Sequence, residues 1–132
     1  MDKKVEVLIV EDSEEVLWVM GNVLEQSGFV VDAVTTGEGA LKKMREFPEI
    51  KLIILNYVLP DMSGITVLKR LRKSGSQVKV IATSAMKGVS ESLVEAGAFT
   101  FLEKPFDIKE FIGLCKQALN GENAESGIVP QN

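Results

Sequence analysis

Short, almost wholly apolar runs alternate five times with amphipathic stretches along this chain, and that alternation limits its fold more than any other feature. The runs are Val5–Val10, Val30–Val34, Leu52–Leu55, Val78–Ala82 and Thr100–Leu102. Rich in β-branched residues and too short for buried helices, they read as strands. The first, third and fourth are nearly all apolar, as expected of strands covered on both faces of a parallel sheet. The fifth is shorter and more mixed, which suits an edge.

The intervening stretches carry apolar residues at spacings of three and four, so each set falls on one helical face. Val16/Leu17, Met20, Leu24 and Ser27 form the first stripe, with Gly28 as its stop. Ala40/Leu41, Met44 and Phe47 form the second, ended by Pro48, and Ile65, Leu68 and Leu71 the third, ended near Gly75. Val89, Leu93 and Ala96 stop at Gly97, while Ile108, Phe111/Ile112, Cys115 and Leu119 stop at Gly121. Strands alternating with helices predict an α/β domain in which helices cover a parallel sheet.

With 132 residues, 45% of them hydrophobic and 26% charged, the chain is large enough for one domain with a single core. That domain is expected over residues 1–121. From Glu122 to Asn132 the composition turns polar, as in a frayed tail or the start of a linker. Fifteen basic and nineteen acidic residues give a net charge of −4, with no basic cluster beyond short runs such as Lys69-Arg70 and Arg72-Lys73. Phosphate contacts need concentrated positive charge, so a nucleic-acid face is not expected.

A single cysteine, Cys115, excludes an internal disulfide, and its place in the last apolar stripe suits a small buried residue better than a reactive thiol. No histidine is present, which removes histidine catalysis, histidine-ligated metal and histidine phosphotransfer within this chain. The apolar run after Met1-Asp2-Lys3-Lys4 is too short for a signal sequence, and no stretch reaches the roughly 18 apolar residues of a membrane span. These features together predict a soluble cytoplasmic domain.

In an open parallel α/β sheet, ligands bind beyond the carboxyl ends of the strands. Strand one runs into Glu11-Asp12, strand three into Asn56, strand four into Thr83-Ser84 and strand five into Glu103-Lys104-Pro105. Any one cluster has an ordinary explanation: a helix cap, a turn, a surface lysine. All four at the same ends point to a site. Adjacent acids offer hard oxygen ligands for Mg²⁺. A neighbouring carboxylate could accept a phosphoryl group, with hydroxyl and lysine spreading the developing charge.

Those residues carry a family resemblance. Glu11-Asp12, the loop Asn56-Tyr57-Val58-Leu59-Pro60-Asp61-Met62-Ser63-Gly64, Ser84-Ala85 and Lys104-Pro105-Phe106 together resemble a response-regulator receiver domain, over residues 5–120. The resemblance implies a flavodoxin-like (βα)5 doubly wound sheet of strand order 2-1-3-4-5 and a cis bond between Lys104 and Pro105. It also implies Mg²⁺ held by Asp12 directly, by Glu11 mainly through water, by position 56 and by the Val58 carbonyl. Ser84 would be the switch hydroxyl, Phe101 the switch aromatic and Lys104 the active-site lysine. The implied partners are a sensor histidine kinase or phosphotransfer protein, and an effector reading the strand-five face. Such a domain is no enzyme in the ordinary sense, since it acts only on its own phosphorylation.

Asn56 departs from the pattern at the phosphoacceptor position. An amide is no substitute for a carboxylate nucleophile, because its oxygen is neutral and its nitrogen lone pair is delocalised. Weaker Mg²⁺ binding and no stable phosphorylation are expected. The chain then reads as a receiver inactivated at one position, or as a protein-binding module that signals without phosphate. A flavin binder of the same fold is disfavoured, because Glu11-Asp12 would repel the flavin phosphate. A hydrolase with an aspartate nucleophile after strand one is disfavoured because Glu14, not an aspartate, follows Asp12 two residues on.

Overall fold

The computed structural model describes residues 4–121, so the expected tail of residues 122–132 lies outside the described residues. In chain order the elements are β1 (Val7–Val10), α1 (Glu14–Gln26), β2 (Val31–Val34), α2 (Gly37–Glu46), β3 (Leu52–Asn56), α3 (Gly64–Lys73), β4 (Lys79–Ser84), α4 (Ser90–Glu95), β5 (Thr100–Glu103) and α5 (Ile108–Leu119). All neighbouring strands pair in parallel, in the order β2-β1-β3-β4-β5. This is the doubly wound sheet expected from the sequence, with β5 at an edge and β2 at the other. The order reverses between β1 and β3, which opens the crevice at the carboxyl ends of those strands.

Strand side chains alternate between two cores. Leu8, Val10, Ile53, Leu55, Val80 and Ala82 face α2, α3 and α4. Val7, Ile9, Leu52, Ile54, Ile81 and Leu102 face α1 and α5. Because β1 and β3 are buried at every residue, their sequences have no polar alternation. Phe111, wholly buried, anchors α5 and stacks against Phe106 at a centroid distance of 5.4 Å. Cys115 lies beside it, and burial pushes its thiol up to about 12, well away from nucleophilic use.

Serine and threonine hydroxyls start the first three helices: Ser13 accepts from Val16 N, Thr36 from Gly39 N and Ser63 from Thr66 N. The four predicted glycine stops, Gly28, Gly75, Gly97 and Gly121, all sit at positive φ. At Gly97 a side chain would also meet Arg72, whose guanidinium donates to the Gly97 carbonyl at 2.7 Å. Among the described residues no helix is long and apolar enough to cross a membrane.

Several strand bounds and one stripe residue differ from expectation. Strand one begins at Val7 rather than Val5 and strand two at Val31 rather than Val30, where ladder pairing starts. Strand four begins at Lys79 rather than Val78, and it, β3 and β5 run farther than predicted, into Ser84, Asn56 and Glu103, because those polar residues still pair across the sheet. Phe47 does not join the α2 stripe. It is the C-cap, with φ −132° and ψ 69°, so helical periodicity no longer aims it at the core; it is exposed, and Lys43 Nζ lies 5.3 Å from its ring centroid.

Candidate functional site

The buried polar side chains mark the site. Among the described residues they are Glu11, Asn56, Thr83, Ser84 and Thr100, and the first four stand at the carboxyl ends of β1, β3 and β4. Buried polar groups require partners. Asn56 pairs in register with Thr83, and Ser84 with Glu103. Val10 pairs with Leu55, so Glu11 follows directly beside Asn56.

Glu11 is the one charged side chain among these groups. Its Oε1 accepts from Lys104 Nζ at 2.8 Å and its Oε2 from Ser13 N at 3.0 Å. The Glu11 side chain is 3% exposed and that of Lys104 20%, so the pair sits largely out of water. Asp12, next in the chain, is exposed. The Lys104–Pro105 bond is cis, as the resemblance implied.

Asn56 spends its amide locally. Its Nδ2 donates to the Val58 carbonyl at 2.7 Å, and Thr83 Oγ1 donates to its Oδ1 at 3.4 Å. The loop beyond is tight: Tyr57 O accepts from Gly64 N at 2.6 Å, and Val58 bridges to Ser63. Gly64 is required there, since a Cβ would lie 2.6 Å from the Asn56 carbonyl oxygen.

Ser84 Oγ accepts from Met86 N at 2.8 Å and makes no bond to Asn56. Alternation puts Ser84 and the half-buried Phe101 on the same face of adjacent strands, toward α4. The hydroxyl that does reach Asn56 is that of Thr83. Sequence reading grouped Thr83 with Ser84 but gave it no contact of its own. Register supplies the missing signal, because Asn56 and Thr83 are cross-strand partners.

Asp61 was read only as part of the loop motif. Its two carboxylate oxygens accept from Gly37 N and Glu38 N, each at 2.9 Å. With Thr36 on Gly39 N, the first-turn donors of α2 are all met, and the loop after β3 is tied to α2. The bonds from Gly37 and then Glu38 hold the Asp61 carboxyl below its ordinary 3.8. A lowered carboxyl pKa adds stability that is present above the ordinary value and is lost as pH falls through the folded one. Acid-unfolding curves should therefore show wild type losing stability below about pH 4, with that part of the loss absent in Asp61→Asn.

The donor set does not fit a resident Mg²⁺. Both Glu11 oxygens and the Val58 carbonyl already have partners, which leaves Asp12 as the one free carboxylate. Among the described residues no group of three acidic, cysteine or histidine side chains is placed to hold a metal. Among the described residues the sole buried side-chain atom without a partner, Gln117 Oε1, belongs to α5 rather than to this site.

Comparison with known proteins places this architecture. The response regulator receiver domain profile matches residues 7–116. The chain is 34% identical over 118 residues to the two-component response regulator ORR5 of Oryza sativa, covering 86% of this chain and 87% of that protein. It is 35% identical over 127 residues to the uncharacterized transcriptional regulatory protein YkoG of Bacillus subtilis, covering 93% of this chain and 55% of that one. This chain spans about half the length of several such relatives. Among solved structures, the receiver domain of a putative LuxO repressor from Vibrio parahaemolyticus superposes with a TM-score of 0.83 at 27% identity, covering 98% of this chain and 100% of that one. A CheY-like receiver from Methanospirillum hungatei also gives 0.83, at 25% identity, covering 93% and 99%. The chain belongs to the response regulator receiver family.

Proposed function

We propose that this receiver works in two-component signalling with Asn56 standing where the family carries its phosphoryl-accepting aspartate, and that position 56 therefore takes no phosphoryl group. The observation that carries this reading is the company Asn56 keeps: at the same strand ends stand buried Glu11, the partly buried Lys104 paired with it, and buried Ser84. Lysine, acid and hydroxyl are the groups that would neutralise a transferring phosphoryl group. Only the nucleophile lacks its chemistry. We assign Ser84 and Phe101 as the switch pair on their shared face, and residues 1–121 as the domain.

Partners are assigned from surface chemistry. A sensor kinase or phosphotransfer protein would meet the edge beside Lys104. There, exposed Val19 lines an apolar recess together with Val16, Pro105 and Phe106. An effector would read β5 with its flanking helices. Met86 and Val94 are exposed there, and the short α4 has no side-chain cap. A cytoplasmic location belongs to the same proposal.

Beryllofluoride, which binds an aspartate carboxylate as a phosphoryl mimic, tests the reading. With Mg²⁺ present, Asn56→Asp should give a bound ¹⁹F signal and amide shifts at Ser84 and Phe101, while the asparagine chain gives neither. A bound signal on the asparagine chain would overturn the assignment of position 56.

A further inference from the structure

We propose that the Asn56 carboxamide takes over the structural work of a divalent cation, closing the loop after β3 onto the strand so that the site holds its shape with no metal bound. This rests on the placing of Asn56 argued above and adds to it.

The orientation of the amide is fixed by chemistry. The Val58 carbonyl can only accept, so the atom 2.7 Å from it must be the N–H-bearing Nδ2. Thr83 Oγ1, which can donate, then lies correctly against Oδ1. An aspartate in this rotamer would set an anionic oxygen against the carbonyl oxygen, with the Glu11 carboxylate at the neighbouring strand end. Oxygens so placed repel unless a cation lies among them. The amide removes that requirement twice, by supplying a donor toward Val58 and by subtracting one negative charge.

The rest of the site is complete in the same sense. Lys104 and Ser13 N occupy the two Glu11 oxygens, and no buried side-chain atom of the site is left without a partner. Mg²⁺ gives up its water reluctantly, and the single exposed carboxylate of Asp12 offers it too little in exchange. The loop after β3 should therefore stay in one state whatever the cation concentration.

The test is a Mg²⁺ titration of the full chain by ¹H–¹⁵N NMR, with Mn²⁺ as a paramagnetic probe and Asn56→Asp in parallel. The wild type is expected to show a protected Asn56 side-chain amide pair that Mg²⁺ leaves in place. No saturable shift should appear at Asp12, Asn56 or Val58, and Mg²⁺ affinity should be weaker than in Asn56→Asp by about tenfold or more. Saturable shifts in the wild type, with loss of the protected amide pair and Mn²⁺ broadening at Val58, would overturn the proposal. Its failure is separable from that of the receiver reading: a wild type that binds Mg²⁺ yet ignores beryllofluoride sinks only the cation inference.

Discussion

Asn56→Asp is expected to lower stability without Mg²⁺ by about 2 kcal/mol, on the order of 8 °C in melting temperature, and to regain most of it when Mg²⁺ is added. The substitution keeps the shape of residue 56 and changes only its chemistry. The donor to the Val58 carbonyl disappears, and a negative charge enters beside Glu11 in a position only 7% exposed. A buried acceptor without its donor costs about 1–3 kcal/mol, and the crowded carboxylates add repulsion. A cation reverses both terms, because the carbonyl oxygen can coordinate it and its charge neutralises the acids. Thermal melts with and without Mg²⁺ check this. Equal melting temperatures for the two forms in metal-free buffer would show that the acids do not converge here.

Lys104→Met should destabilise the fold by about 3 kcal/mol, a value at the lower end for a broken buried ion pair. Glu11 would keep its charge at 3% exposure with only Ser13 N to answer it. The lower end is appropriate because Lys104 is 20% exposed, so water can partly replace the ammonium. Adding Glu11→Gln should recover much of the loss, since the second change removes the stranded charge. Urea unfolding of the two single variants and the double variant gives the coupling directly. Independent, additive effects would mean that the 2.8 Å contact contributes nothing in solution.

The sequence made the sheet readable because β1, β3 and β4 lie inside it. Burial on both faces leaves a continuous apolar run with no alternative use. Strand ends were less readable, since Asn56, Thr83 and Ser84 look like loop residues until their cross-strand partners are known. Helix stripes marked the right faces but missed Val67, Leu114 and Ala118, which are buried. Trp18 and Val19 show the opposite case: apolar and set between Leu17 and Met20 of the first stripe, they are nevertheless exposed.

The site was legible as a set of residues, because strand ends in this architecture converge. Its wiring was not. Asp61 reaches the start of α2 across 24 positions of sequence. The choice between Nδ2 and Oδ1 facing Val58 depends on a carbonyl direction that only the folded loop defines. That choice reverses the expected role of Val58, whose carbonyl answers the amide rather than a metal.

Intact mass after incubation with acetyl phosphate and Mg²⁺ tests most directly whether this is a receiver silenced at one residue. The asparagine chain should keep its own mass, and Asn56→Asp should gain one phosphoryl group. A phosphoryl group on the asparagine chain would place the acceptor elsewhere. Failure of Asn56→Asp to gain one would mean that Glu11, Ser84 and Lys104 no longer form a working site.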